Sequence, residues 1–319
     1  MPTRLSAALG RAGARIASIA SLLVAIVPAA GVPAASAHVV AGDRIFPVTL
    51  TFDDPGVGDE MTLPQFTWQG DSGPQDTYQF QWEYDKTITP TTSLIYNHGY
   101  DILNAAGQKR LSGFENVFIT GKWQAVTIPE HEFVVSLGVI REFPGNRQTQ
   151  QIGGDTWGST APTIYAGKGL GDLPIGVLRP LAVTGELSYV FPDRRINSDG
   201  SNNGNPRSWQ GAFSVQYSIP YLQSEVKDYG LPGFLGRMIP LVEVDWSSPA
   251  AAPAPGTPMT LQVGAGAIYL GDTFQAGLEA LIPANTAAGK RVGVIFQLHY
   301  FFDDLFPNGL GKPLVDWLR

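Results

Sequence analysis

From Tyr78 to Asp85 the chain alternates without interruption, with Tyr78, Phe80, Trp82 and Tyr84 on one side and Gln79, Gln81, Glu83 and Asp85 on the other. Successive side chains of an extended strand point to opposite faces, so this segment has one wholly aromatic and one wholly polar face. A strand of a soluble sandwich buries aliphatics and turns its polar face to water. A row of large rings suits a wall that faces hydrocarbon. The pattern recurs: Trp209, Gly211, Phe213, Val215, Tyr217 and Ile219 alternate with Gln210, Ala212, Ser214, Gln216 and Ser218. Near the end Val292, Val294, Phe296, Leu298, Tyr300 and Phe302 alternate with Gly293, Ile295, Gln297, His299 and Phe301.

This rhythm predicts strands over 61–70, 77–86, 92–103, 115–126, 132–142, 162–171, 180–191, 208–220, 239–247, 259–270, 273–283 and 291–302. Their lengths match a tilted strand crossing a bilayer. On the polar face Ser, Gln, Gly and Ala outnumber charges, as a wet lumen requires. With the first strand running outward, the inner links are 87–91, 127–131, 172–179, 221–238 and 271–272, mostly short. The outer links are 71–76, 104–114, 143–161, 192–207, 248–258 and 284–290, and include stretches such as Asn197–Pro206 that are rich in Gly, Asn and Ser. Short periplasmic turns and longer external loops are the habit of outer-membrane barrels. The fold expected is therefore all-β, an antiparallel transmembrane β-barrel of about twelve strands, wider than the kind whose interior side chains fill.

The N-terminus places the chain outside the cytoplasm. Arg4, Arg11 and Arg15 open a segment free of acidic residues. A short apolar run over 16–30 follows, then Ala35-Ser36-Ala37, the small-residue pattern of a signal-peptidase site. We expect 1–37 to be a cleaved signal peptide, 38–60 a periplasmic or plug segment, 61–302 the barrel and 303–319 a C-terminal tail. The whole chain holds 21 basic and 28 acidic residues, and the three basic residues of 1–37 leave with the signal, so the mature chain is net −10. That balance argues against nucleic acid as a partner. There is no cysteine, hence no disulfide framework. No stretch after the signal is long and apolar enough for a transmembrane helix, which leaves a closed barrel as the only means of spanning.

Asp53-Asp54-Pro55-Gly56, Leu63-Pro64, and the segment from Thr163 to Pro174 leading into Leu178–Pro192 resemble the outer-membrane barrels linked to the meta-cleavage pathway of phenol degradation. The likeness covers most of the mature chain. It implies a transporter-like barrel passing small organic or aromatic compounds, and it brings no catalytic residues. The tail after Tyr300-Phe301-Phe302 departs from barrels that end on a terminal aromatic.

Few residues invite chemistry. His38 at a new N-terminus offers an amine and an imidazole to copper, but the other histidines, His98, His131 and His299, are not at ligand spacing. Glu130-His131-Glu132 follows Pro129 in an expected turn, where polar residues belong anyway. His299 shares the lumen face with Ser214 and Ser218, yet no Gly-x-Ser-x-Gly elbow marks a nucleophile. We assign no catalytic, cofactor or metal site. The candidate lumen-lining residues are Glu83, Asp85, Lys122, Lys168, Glu186, Glu243, Asp245, Glu279, Arg291 and His299. Acids dominate this set, which favours cations or neutral solutes; alternatively, the charges brace the wall by pairing with one another.

The expected function is passive passage of small solutes across the outer membrane of a Gram-negative bacterium, with hydrophobic or aromatic compounds favoured by the resemblance alone. The expected partners are the lipid bilayer, the solute and the barrel insertion machinery. The alternatives are a non-conducting structural or adhesive barrel, a barrel enzyme acting on lipids, and a soluble β-sandwich or lipocalin-like binder.

Overall fold

The computed structural model describes residues 39–70, 75–154, 157–194, 206–251 and 258–317. The signal segment expected over 1–37, and His38, lie outside these residues, as do stretches of the outer loops. A small hairpin, β1 (Val39–Ala41) and β2 (Arg44–Phe46), precedes a continuous antiparallel sheet. The sheet begins with β3 (Glu60–Gly70), β4 (Gln75–Thr89), β5 (Thr92–Ala105), β6 (Leu111–Phe114), β7 (Val117–Ile128), β8 (Phe133–Phe143) and β9 (Ser159–Gly169). It continues through β10 (Leu181–Pro192), β11 (Arg207–Tyr217), β12 (Met238–Ala251), β13 (Thr260–Leu270), β14 (Phe274–Pro283) and β15 (Gly293–Phe301).

The sheet closes on itself. β15 pairs with β3, with Ile295 opposite Thr67 and Tyr300 opposite Met61, so the first and last long strands satisfy one another's backbone groups. β5 pairs with β7 at its inner end and with β6 at its outer end. β6 and β7 thus occupy one position, and the barrel has 12 staves. Each segment expected from the alternation coincides with a stave, with ends displaced by a few residues. The segment expected at 77–86 runs as Gln75–Thr89, and the one expected at 115–126 is preceded by the separate short piece β6.

Side-chain parity follows the sequence. Phe66 faces Phe80 across one pair of staves and Tyr189 faces Trp209 across another, with ring centroids 5.1 and 4.6 Å apart. Such aromatic pairs add about 0.5–1.5 kcal/mol each beyond their buried area. At mid-stave Val139 and Leu278 remain 49 % and 56 % exposed on the outer wall. An apolar surface of this kind would be costly in water at about 25 cal/mol per Å² and costs nothing against lipid tails. Trp123 and Trp209 also point outward, whereas Phe302 leaves the wall to begin the short helix Phe302–Leu305.

The two ends of the barrel differ. β4 and β5 are joined through Pro90 and Thr91, β7 and β8 through the 3-10 turn Pro129–His131, and β13 and β14 through Gly271–Thr273. The long inner link between β11 and β12 folds into helical turns over Ile219–Val226 and Leu235–Arg237. The C-terminal tail sits at this same inner end, where Lys86 Nζ donates to the carbonyls of Leu310 (2.8 Å) and Lys312 (2.6 Å).

Candidate functional site

The functional feature is built by the residues before the first stave. The β1–β2 hairpin turns at Gly42, whose φ of +64° suits glycine and whose Cβ, if present, would lie 2.4 Å from the Pro129 carbonyl oxygen. Val39, Ala41 and Phe46 pack on Val134 of β8 and Ala182 of β10, both on the lumen face. The hairpin therefore sits inside the inner mouth.

Arg44 fixes it there. The guanidinium is 1 % exposed; Nε donates to Glu132 Oε2 (3.1 Å), and the terminal nitrogens donate to the carbonyls of Pro180 (3.0 Å) and Arg179 (2.5 Å). It also lies 3.8 Å from the centre of the Tyr221 ring. Glu132 takes a left-handed backbone conformation (φ 47°), and its carboxylate accepts from Gly171 N–H (3.0 Å) as well. Gly169 leaves it the space, since a Cβ there would meet Glu132 Oε2 at 2.0 Å.

Residues 47–59 then cross the lumen from one wall to the other. Val48 exchanges two hydrogen bonds with the Gln275 side chain, and Gln297 Nε2 donates to the Thr49 carbonyl. Glu243 accepts from Leu50 N–H (3.0 Å) and Thr51 N–H (2.9 Å). Leu50 packs into an apolar patch of the inner wall formed by Ile239, Leu241, Ile268, Leu270, Leu281 and Ile295. Burying such a leucine is worth about 1.5–3 kcal/mol. On the opposite wall Asp53 meets Lys122 Nζ at 2.8 Å and Asp54 meets it at 3.9 Å. Ser136 Oγ donates to the Pro55 carbonyl, and Val57 N–H donates to Gln124 Oε1 (3.2 Å). Asp59 accepts from Thr87 N–H (3.0 Å) and from Lys86 Nζ (2.5 Å), and the chain then enters β3.

Above this plug lies a cavity of about 490 Å³. Thr51 of the plug contributes to its lining, and Gln69, Gln210, Gln262, Ser247, Glu186 and Asp245 also line it. No basic side chain is among its lining residues where these are described.

The candidate lining residues fall into distinct places. Glu83 lies on the inner face and accepts from Asn97 Nδ2 (3.1 Å); Asp85 is buried beside it with Oδ1 unpartnered. Lys122 and Glu243 hold the plug, Glu186 and Asp245 line the outer cavity, and Glu279 is buried in the wall of β14. Two basic residues are not lumen-lining. Lys168 pairs with Val183 on the outward parity of β9, where its ammonium reaches Asp172 (3.0 Å) and the His131 carbonyl (2.5 Å). A lysine at a stave end escapes hydrocarbon by extending to the rim, so its charge does not demand a lumen position. Arg291 precedes β15 at the outer rim and binds Asp76 (2.6 Å) and the Gln75 carbonyl (2.7 Å).

His299 is not near the serines considered for it. Ser214 bonds with Thr184 and Gln216, and Ser218 caps the turn at Tyr221. Instead His299 Nδ1 lies 2.7 Å from Thr62 Oγ1 and Nε2 lies 2.8 Å from Glu60 Oε2. A hydroxyl, an imidazole and a carboxylate in line form the constellation of an activated nucleophile. All three are buried, Phe301 packs on the imidazole with ring centroids 5.0 Å apart, and the outer cavity does not reach them. The arrangement ties β3 to β15 across the closing seam.

Arg44, Thr51, Asp53, Asp54 and Glu132 were absent from the sequence-derived list. One signal pointed to them, because Arg44 is the only basic residue of 38–60. A lone cation in an acidic, apolar lead-in needs a buried partner.

No family profile matches the chain, and no curated protein matches it in sequence. Among solved structures it is similar to an outer-membrane channel from Pseudomonas putida F1, at 10 % identity and a TM-score of 0.52, over 81 % of this chain and 99 % of that one. It also overlaps the NanC porin (10 % identity, 75 % and 98 % covered, TM-score 0.48) and the KdgM porin (8 %, 74 % and 97 %, 0.44). Of these three the Pseudomonas channel superposes best, and at such low identity the likeness is one of fold.

Proposed function

We propose that the chain is a passive conduit of the Gram-negative outer membrane whose inner half is occluded by its own N-terminal segment. The observation that carries this reading is the juxtaposition of an apolar outer wall, a polar cavity inside it, and a plug made of residues 47–59. The plug is held by polar bonds and ion pairs, so partial release opens a path without unfolding a stave. Export through a signal over 1–37 and assembly by the barrel insertion machinery fit this placement. The resemblance to barrels linked to phenol meta-cleavage supports small organic solutes, aromatic ones included. The fold shared with the Pseudomonas channel supports passage rather than chemistry.

The number of contacts holding the plug favours one other reading, a permanently sealed barrel with a structural or adhesive role. Planar-bilayer recording of the purified full-length protein separates the two. Discrete conductance steps are expected of a conduit, and a silent bilayer despite confirmed insertion rejects it. Recovery of the protein in the soluble periplasmic fraction, with no heat-modifiable migration in detergent, would reject the membrane placement altogether.

A further inference from the structure

We infer that Glu279, with Asp245 and Glu243, forms a binding station for a primary ammonium group in the wall beside the outer cavity, reached past Asp245, so that the solutes admitted are small organic cations. This rests on the conduit reading and names the solute class of the same lumen.

Glu279 is 1 % exposed, and neither of its carboxylate oxygens has a hydrogen-bond partner. Asp245 Oδ2 is likewise unpartnered. Glu243 differs, because its oxygens are taken by Leu50 and Thr51 of the plug. The wall is shaped to hold the carboxylate of Glu279 in place. A Cβ added at Gly264 would lie 2.3 Å from Glu279 Oε2 and 3.5 Å from the Glu243 Cβ, so the glycine leaves a niche where these side chains lie together. The facing positions carry no cation: Ala212, Gln262, Gly264 and Gly266 in the register, Ile295 opposite Glu279, and Thr51 on the plug side.

A carboxylate removed from water without a partner costs several kcal/mol, so this niche holds either a proton or a cation taken up in its place. A primary ammonium has three N–H donors and no acceptor. The cluster has three orphan acceptors, Oε1 and Oε2 of Glu279 and Oδ2 of Asp245. Asp245 borders the outer cavity, which gives a small cation a way in from outside, through a lining that holds Glu186 and, among the described residues, no basic one.

The test uses full-length protein in detergent and in planar bilayers, with methylammonium chloride as probe and tetramethylammonium chloride, which has no N–H donor, as comparison. Calorimetric titration should show saturable methylammonium binding and none of tetramethylammonium. Glu279→Gln should weaken binding about tenfold or more, as loss of a hydrogen-bonded charge implies. Gly264→Ala, which places a methyl group on the Glu279 carboxylate, should do the same while keeping every charge. Heat-modifiable migration checks that both variants remain folded barrels. Equal binding by parent and folded variants, or no binding by the parent, overturns the station. Methylammonium binding in a protein silent in bilayers keeps the station and removes the conduit. Conductance that is anion-selective under a salt gradient keeps the conduit and removes the station.

Discussion

Arg44 Nε lies 3.1 Å from Glu132 Oε2, joining the hairpin that precedes the barrel to the turn between β7 and β8 at a spacing of 88 residues. Both side chains are almost wholly buried. The pair anchors the plug at the inner mouth, while the contacts of residues 47–59 hold it across the lumen.

Breaking that anchor should loosen the plug. Removing one partner of a buried ion pair costs about 3–5 kcal/mol because the other charge is left stranded. Arg44→Ala should therefore raise the open probability or conductance of single channels, with the barrel itself still heat-modifiable. Glu132→Gln should do the same to a smaller degree, since the amide still accepts from Gly171. Currents identical to the parent in both variants would show that the plug does not gate the lumen.

Lys122 is the second anchor. Its ammonium is 1 % exposed and holds Asp53 and Asp54 of the plug together, 4.7 Å from the Tyr165 ring centre. Lys122→Met removes the cation that these carboxylates touch in the wall, and the plug should be expelled from the inner half. Arg44 then becomes a trypsin site, so limited proteolysis should cut after it in the variant and not in the parent. A variant as resistant as the parent counts against the docked position of 47–59.

The outer wall makes an independent prediction. Leu278 is at mid-stave on β14, opposite Ala267 and Phe296 on the lipid-facing parity. Leu278→Arg should cost about 2–4 kcal/mol of membrane stability, the usual penalty at the bilayer midplane. A lumen change of similar size, Gln210→Arg, should be tolerated far better. Urea titration of both in phospholipid vesicles checks the contrast, and equal losses would contradict the assigned parity.

The tail should respond to pH. Asp303 follows β15 in the helix Phe302–Leu305, and burial, aided by nearby Asp59 and Glu60, raises its carboxyl from 3.8 to about 8. The docked tail thus holds a proton that the undocked tail releases above about 3.8. Docking is strongest below that value and weakens as pH rises to about 8. Hydrogen-exchange protection of 302–317, corrected for intrinsic rates, should fall between pH 5 and pH 9 in the parent. Asp303→Asn should flatten that profile; an unchanged slope would remove Asp303 as the titrating group.

The barrel was legible because its rule is local. Alternation of the kind seen over Tyr78–Asp85 states which residues share a face, and its repetition states how many staves there are. The plug was not legible in detail. Residues 38–60 read only as a lead-in beside or inside the barrel, with no sign of the β1–β2 turn or of its contacts. Lys168 lies outside the lumen for a related reason: its charge suggests a lumen position, but a stave end lets a long side chain reach the rim. The Glu130-His131-Glu132 turn read as ordinary polar residues, and that holds for its first two members. Glu132 is different only because Arg44 is brought against it.

The amino-acid order by itself determined that there are about twelve staves, the parity of side chains where the alternation is clean, and the acidic character of the interior, since each depends on neighbours in sequence and on a side-chain period of two. Only the tertiary structure decided what fills the barrel. Leu50 with Ile239, Arg44 with Glu132 and Asp53 with Lys122 meet through closure of the sheet, and no periodicity along the chain encodes a contact made across a lumen.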